Sequence, residues 1–351
     1  MATATVAAAY GGTAHGSMTP ALAERLTTIP AGQQTAVIAT LAEQAQGATG
    51  THPAAVRRAM RETARRTQAD VVAHVSGPVR RFWLVNAVAF SGTPDEIRAV
   101  AAEPAVAEVA LDRTVRTAQQ STPFPDAGEG NQALSTIRAP EAWQGYGVTG
   151  AGVRVGVIDT GVNAAHRDLA GKVVAWRDFV NGRPMPYDDS GHGTHTAGVL
   201  AGGSAGGAPI GVAPGASLVV AKAIGADGVG SGSALLAAAQ WMTDPDGDPA
   251  TADHPAVINN SWSSGAASDT WFRTMIARWR QLGITPVFAA GNAGPLGPIA
   301  SPASYPDVIT VGALGVDAHV EQVRWRDLRD RTFGRIDPIA ESGRQYRHGQ
   351  P

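Results

Sequence analysis

The sequence predicts an α/β protein: a parallel sheet with helices on both faces, preceded by a small α+β unit. Three observations carry this. From Gly152 onward, short apolar runs alternate with helical stretches, as in sheets buried beneath crossover helices. From about Gln34 to Arg116 the order is strand, helix, strand, helix, strand, which suits a compact α+β sandwich. Between them, Thr117 to Gln132 is polar, rich in Pro and Gly and poor in charge, the composition of a linker. A length of 351 residues is also closer to two domains than to one at roughly 150 residues each.

Residues 1–34 are rich in Ala, Gly and Thr with weak periodicity and read as leader or linker. In the first unit, residues 35–116, Ala36 to Leu41 is a strand. His52 to Ala73 is a helix with Val56, Met60 and Ala64 at i, i+4 and i+8 and arginines on the other face. Phe82 to Phe90 reads as one long strand. Thr93-Pro94-Asp95-Glu96 supplies an N-cap, a proline at the first helical position and acids in the first turn. The helix it opens buries Ile97, Val100 and Ala101, and Val106 to Leu111 returns as a strand.

A linker over residues 117–138 is the natural place for processing, and the second unit spans 139–317. Its strands are Val153–Ile158, Ala216–Ile224, Ala256–Asn260, Ile284–Ala290 and Val308–Gly312. Its helices are His192–Leu200, Ser233–Met242 and Asp269–Leu282. Ligand-facing residues in such a sheet sit at the carboxyl ends of strands. Residues 318–351 form a divergent tail with seven of the 26 arginines between 321 and 351.

Composition narrows the function. Charged residues make up 17% and the net charge is −2, so nothing directs the chain to nucleic acid or an anionic membrane. The absence of Cys excludes disulfides, thiolate metal sites and cysteine nucleophiles. No apolar run is long enough to span a membrane. The first basic side chain is Arg25, so the small apolar N-terminus lacks the charged region of a signal peptide.

Three clusters carry chemistry. Asp159 ends the first parallel strand in Val-Ile-Asp159-Thr-Gly, where a buried carboxylate needs a partner; a helix-capping role is the plainer reading. Gly-His192-Gly-Thr-His195-Thr-Ala-Gly198 is a helix start crowded with small residues, presenting an imidazole to a cleft. His192 and His195 also admit a metal reading, but no third ligand at zinc-like spacing accompanies them and HExxH is absent. Ala-Ala-Gly291-Asn292 follows a strand, either as a turn Asn or as an amide donor for an oxyanion.

Taken together, in this order and spacing, the three clusters resemble the subtilisin-like (subtilase) serine proteases. The likeness extends over His166–Leu169, Ile210–Leu218, Val257–Trp262 and Ser304–Ala313, and Asn-Asn-Ser261-Trp262 is closest to the bacillopeptidase F-like branch. The first unit, with Arg81-Phe-Trp-Leu-Val and Pro104-Ala-Val-Ala-Glu-Val, resembles the family's inhibitory propeptides. The resemblance implies a secreted endopeptidase acting on peptide or protein substrates, with its own propeptide as intramolecular inhibitor and no cofactor needed for the chemistry. Asp159 then orients the imidazole, His192 is the general base and Asn292 holds the oxyanion. Gly291 and Ser261-Trp262-Ser263 bind substrate, the latter as a strand for an extended peptide, although Ser263 stands where Gly is usual and its Cβ narrows the groove.

Two departures follow. The family's nucleophile lies in a Gly-Thr-Ser-Met-Ala-x-Pro box, and no such string occurs in these 351 residues; the last 34 contain one serine, Ser342, in a charged setting. The expectation is therefore an incomplete sheet and an inactive chain, with a non-catalytic, peptide-binding pseudoprotease as the rival. Asp244-Pro-Asp246-Gly-Asp248 has the alternating carboxylates of a structural calcium loop without the EF-hand glycine or closing Glu, so a solvated acidic loop fits as well.

Overall fold

The computed structural model of the protein describes residues 17–45, 52–117, 130–249, 251–265, 267–293 and 297–313. The first 16 residues of the leader, most of the linker (118–129) and the tail from 314, including Ser342, lie outside the described residues.

The first unit is a five-stranded sheet in the order β1-β5-β2-β4-β3, formed by Ser17–Met18, Val106–Leu111, Thr35–Leu41, Ala87–Gly92 and Val79–Phe82. All pairs are antiparallel except β1 with β5. Helices α1 (Pro20–Thr28), α2 (Pro53–Ala73) and α3 (Pro94–Ala102) pack on it. The alternation of β2 divides its side chains between two cores. Val37, Ala39 and Leu41 meet Leu22 and Leu26 of α1 and Ile97 and Val100 of α3. Ile38 faces a second core shared with the rest of the protein.

Three local readings change. Residues 17–28, taken as leader, form β1 and α1, because Leu22 and Leu26 fall one turn apart and both bury. Phe82 to Phe90 is not one strand: residues 83–86 turn, and β3 and β4 pair as a hairpin. Asn86, at φ 40°, supplies the left-handed corner, a conformation Asn tolerates. Arg57 of α2 is not on a solvated face but buried, for a reason given below. The capping box at Thr93 and Glu96 forms as the sequence implies.

The second unit is a six-stranded, all-parallel sheet in the order β14-β13-β11-β7-β9-β8. Its strands are Ile309–Val311, Thr285–Ala289, Val257–Asn260, Arg154–Asp159, Ser217–Lys222 and Val173–Asp178. The short α4 (Gly130–Thr136) and α5 (Ala139–Tyr146) lead into it. Helix α6 (His192–Ala201) covers one face through Ala197 and Ala201, packed with Val157, Leu218 and Val220. Helices α7 (Gly232–Trp241) and α8 (Arg273–Gln281) contribute Leu235, Ala239, Ile276 and Trp279 to the core on the opposite face. Strand β8 carries the short apolar run Val173–Trp176, which the sequence reading passed over, and is mostly half-exposed, with only Asp178 buried.

The two units share one core. Ile38, Met60, Phe82 and Leu84 belong with Leu235, Leu236, Trp241 and Met242. Beyond β5 the chain extends as β6 (Thr114–Thr117), which lies antiparallel between β10 (Val229–Ser231) and β12 (Trp262–Ser263).

Candidate active site

The parallel register sets the geometry. Asn260 of β11 pairs with Ile158 of β7 on one side and Phe288 of β13 on the other. Asp159, Ser261 and Ala289 therefore lie one step past the same rung, on strands about 4.8 Å apart, at the carboxyl edge of the sheet. Gly291 and Asn292 follow β13 at that edge and, with residues 311–313, line a pocket there.

Asp159 is fully buried, and its Oδ1 accepts from the Thr160 N–H at 2.7 Å and lies 2.6 Å from His192 Nδ1. An ionised carboxylate only accepts, so Nδ1 carries the proton and the neutral ring keeps Nε2 as its lone-pair nitrogen. Burial works against charging His192, but the hydrogen bond and charge of Asp159, with the charge of Asp188, outweigh it and hold the imidazole pKa above its ordinary value. His195 moves the other way: burial and the neighbouring His192 depress it.

Small residues bring the two elements together. A Cβ on Gly193 would fall onto the Gly161 carbonyl oxygen, and one on Gly161 would fall onto the Tyr187 carbonyl oxygen. Gly161 also has a φ of 124°, which few side chains accept. The glycines flanking Asp159 and His192 thus let the helix start approach the strand end until the carboxylate and ring touch.

Sequence reasoning passed over the residues that hold this contact. Thr160 Oγ1 accepts from Gly193 N at 2.9 Å and donates to Asp188 Oδ1 at 2.9 Å. Asp188 also accepts from the N–H groups of Ser190, Gly191 and Thr194 and from the Thr194 hydroxyl. Thr160 and Asp188 together satisfy the Gly193 and Thr194 N–H groups of a helix whose N-cap, a glycine, offers no side chain. Burial raises the Asp188 carboxyl pKa, but the donors led by Thr194 outweigh it and leave it below its usual range. Lys222, wholly buried, donates from Nζ to Thr160 O at 2.5 Å, Asp189 Oδ1 at 2.7 Å and Ile224 O at 3.0 Å. The visible signal was two consecutive acids ahead of a Gly-His helix start.

The substrate-binding candidates separate. Ser261 is half-buried and its Oγ accepts from Asn259 Nδ2 at 3.0 Å. Trp262 and Ser263 pair through the backbone with Thr117 and Arg116 of β6. The indole of Trp262 does not line the cleft. It is buried against Phe272 and Phe288, each with ring centroids 5.2 Å away. The Cβ of Ser263 does not prevent a strand from lying alongside it. On the other side Thr117 N donates to Gly228 O at 2.9 Å.

His192 and His195 join no group of three potential ligands among the described residues. The group that could hold a metal ion is Asp244, Asp246 and Asp253. It keeps two of the three acids read from the sequence and replaces Asp248 by Asp253, brought back by the turn of the loop.

A parallel sheet carrying a buried carboxylate–imidazole pair at its carboxyl edge defines an α/β protein with an acid–base site. The sequence profile of the subtilase family, peptidase S8, matches residues 150–325, half of the chain, and the chain belongs to that family. It is 32% identical to bacillopeptidase F of Bacillus subtilis over 305 residues, 75% of this chain and 21% of that protein. It is 34% identical to subtilisin E of the same organism over 250 residues, 70% of this chain and 60% of that protein. The chain thus spans less than two thirds of these relatives. Among solved structures, fervidolysin from Fervidobacterium pennivorans, a keratinolytic enzyme related to subtilisin, superposes with a TM-score of 0.56 at 21% identity. That match covers 82% of this chain and 44% of fervidolysin, and it shows the same fold. No helix among the described residues is long and apolar enough to cross a membrane.

Proposed function

We propose that this is the propeptide-bearing part of a secreted serine endopeptidase, in which the first unit blocks the substrate groove of the second. The observation that carries this reading is β6, seated between β10 and β12, with β12 beginning one residue after Ser261 at the Asp159 edge. An extended peptide gains main-chain hydrogen bonds on both sides there, so β6 occupies the place of a substrate.

In peptide hydrolysis His192 Nε2 takes the proton of an attacking hydroxyl, and the Asp159 carboxylate stabilises the imidazolium that forms. Asn292 donates its side-chain amide to the oxyanion, and Gly291 and Ser261–Ser263 position the peptide. The serine-box string does not occur within these 351 residues. We therefore propose that they bind and orient peptides and place a base, but do not themselves form an acyl-enzyme.

A fluorophosphonate probe tests this directly. The 351-residue chain is expected to take no label under conditions that label subtilisin E fully. Stoichiometric labelling would show that a nucleophilic serine is present and overturn the inactive reading.

A further inference from the structure

The first unit enters the groove with one arginine turned inward. Along β6, Val115 and Thr117 are buried while Thr114 and Arg116 are exposed, so Arg113, two residues before Val115, falls on the inward side. The pairing runs on past β6 to reach it: Ser231 lies opposite Thr114, and Gly232 N donates to Arg113 O at 2.7 Å. The glycines of Gly228-Val-Gly-Ser-Gly232 leave room for this row of side chains. A Cβ on Gly228 would meet Thr117 Oγ1 at 2.7 Å, and one on Gly230 would meet Val115 Cγ2 at 3.2 Å.

The row ends on a charge. Arg113 Nη1 donates to Asp269 Oδ2 at 2.6 Å, and the guanidinium carbon lies over the Trp271 ring, 5.2 Å from its centroid. The Asp269 side chain is 9% exposed. A carboxylate so enclosed attracts a cation more strongly than one in open water, and an indole face adds to its hold on a guanidinium.

The second unit alone holds this corner together. Asp269 Oδ1 accepts from Trp271 N at 3.0 Å, which fixes the carboxylate and leaves Oδ2 to Arg113. The Ser301 hydroxyl donates to the Asp269 carbonyl at 2.7 Å, and the Ser304 hydroxyl to that of Ala267 at 2.9 Å. Trp271 packs edge-on against Phe272, with ring centroids 4.7 Å apart. These holders all lie in the second unit, so carboxylate and ring keep their places when Arg113 leaves.

We propose that Asp269 and Trp271 form a guanidinium subsite at the end of the groove away from Asp159. Arg113 fills it while the first unit is seated, and an arginine of an extended peptide substrate fills it once that unit withdraws. Thr117 pairs with Trp262, next to Ser261, so this arginine lies four residues further from the Asp159 edge than the residue in the place of Thr117. The subsite thus selects peptides of the form Arg-x-Val-x-Thr by the charge at the first position. The proposal rests on the reading of β6 as seated in the place of a substrate.

Peptide binding to the full chain tests it, with β6 unseated in either of two ways. Val115→Asp puts a charge at a fully buried position; Thr117→Pro removes the N–H donated to Gly228. Both chains also carry Arg113→Ala, which opens the subsite, and circular dichroism checks that each folds. Calorimetric titration compares three acetylated and amidated pentapeptides. Arg-Thr-Val-Arg-Thr copies residues 113–117, Ala-Thr-Val-Arg-Thr lacks the first charge, and Ala-Arg-Val-Arg-Thr moves it one place, to the solvent side. The first should bind on the order of 10-fold more tightly than the other two, the scale of one charge-assisted hydrogen bond. Adding Asp269→Asn should bring all three together.

Measurable but equal binding of the three peptides overturns the subsite and leaves the groove reading standing. An equal gain from arginine at either place also overturns it, since net charge alone would then be the attraction. No binding of any peptide overturns both, because β6 would then not lie in a peptide groove.

Discussion

The carboxylate of Asp112 accepts two hydrogen bonds from Ser233, one from the backbone N–H at 2.9 Å and one from the hydroxyl at 2.6 Å. Asp112 follows β5 of the first unit, and Ser233 lies in the first turn of α7 of the second, where Ser231 already caps Ala234 N at 3.1 Å. The first unit thereby lends an anion to the positive end of a helix in the other. With Gln240 Oε1 accepting from Trp83 N at 2.6 Å and Leu84 N at 3.1 Å, α7 is gripped at both ends.

Replacing Asp112 by Ala should therefore destabilise the chain by about 1–2 kcal/mol, the range for a lost helix-terminal cap. Asp112→Asn, which keeps an acceptor but loses the charge, should cost less. Urea unfolding of the three chains measures the ranking, and an Ala variant as stable as its parent would contradict it.

His192 should titrate above its ordinary pKa of about 6.5, since Asp159 and Asp188 favour its charged form. Its folded pKa exceeds its unfolded one, so the stability it adds is fully present below about pH 6.5 and is lost as pH rises through the folded pKa. Nuclear magnetic resonance of the imidazole protons across this range reads the value. In Asp159→Asn the His192 pKa should fall, because burial then acts against weaker opposition.

Gly193→Ala places a methyl group on the Gly161 carbonyl oxygen, so main chain rather than a flexible side chain must shift. The cost should be at least about 2 kcal/mol, typical of overpacking against main chain. The same substitution should displace His192 from Asp159, visible as a shift of the imidazole resonances toward those of Asp159→Asn. A stable variant with unchanged resonances would show that the glycine is not what permits the approach.

Trp262 offers a contrast within one position. Truncation to Ala removes a ring packed between Phe272 and Phe288 and should cost about 3–5 kcal/mol. Among the described residues the buried Trp262 Nε1 donor has no partner, so Trp262→Phe loses volume but also sheds that N–H. Its cost should stay below about 1.5 kcal/mol. Thermal or urea unfolding separates the two; equal losses would mean the indole N–H is paired after all.

The sequence by itself determined the alternation of the parallel sheet and the helices α2, α3, α6 and α7, and it marked Asp159 and His192 as candidates whose pairing only the family resemblance implied. Those features are written in local pattern: apolar runs of strand length, 3.6-residue periodicity, caps, and glycines flanking the two acid–base residues. The reading also failed at two apolar stretches, where exposure and a long-range contact decided the outcome. Strand β8 is half-exposed, and the turn within 82–90 is made by Asn86, whose side chain donates to the Glu43 carbonyl, far away in sequence.

Only the tertiary structure decided the rest, because it depends on contacts between residues far apart in the chain. Asp188 and Lys222 became supports of the dyad when Thr160 came within reach of both. Trp262 turned inward because Phe272 and Phe288 enclose it, leaving its backbone to the groove. Asp253 replaced Asp248 in the acidic cluster when the loop folded back. Arg57 and Arg61, which periodicity consigns to solvent, found carbonyls and a carboxylate some 180–190 residues away. Periodicity reports which face of a helix is apolar; it is silent on a polar face that another unit's oxygens will cover.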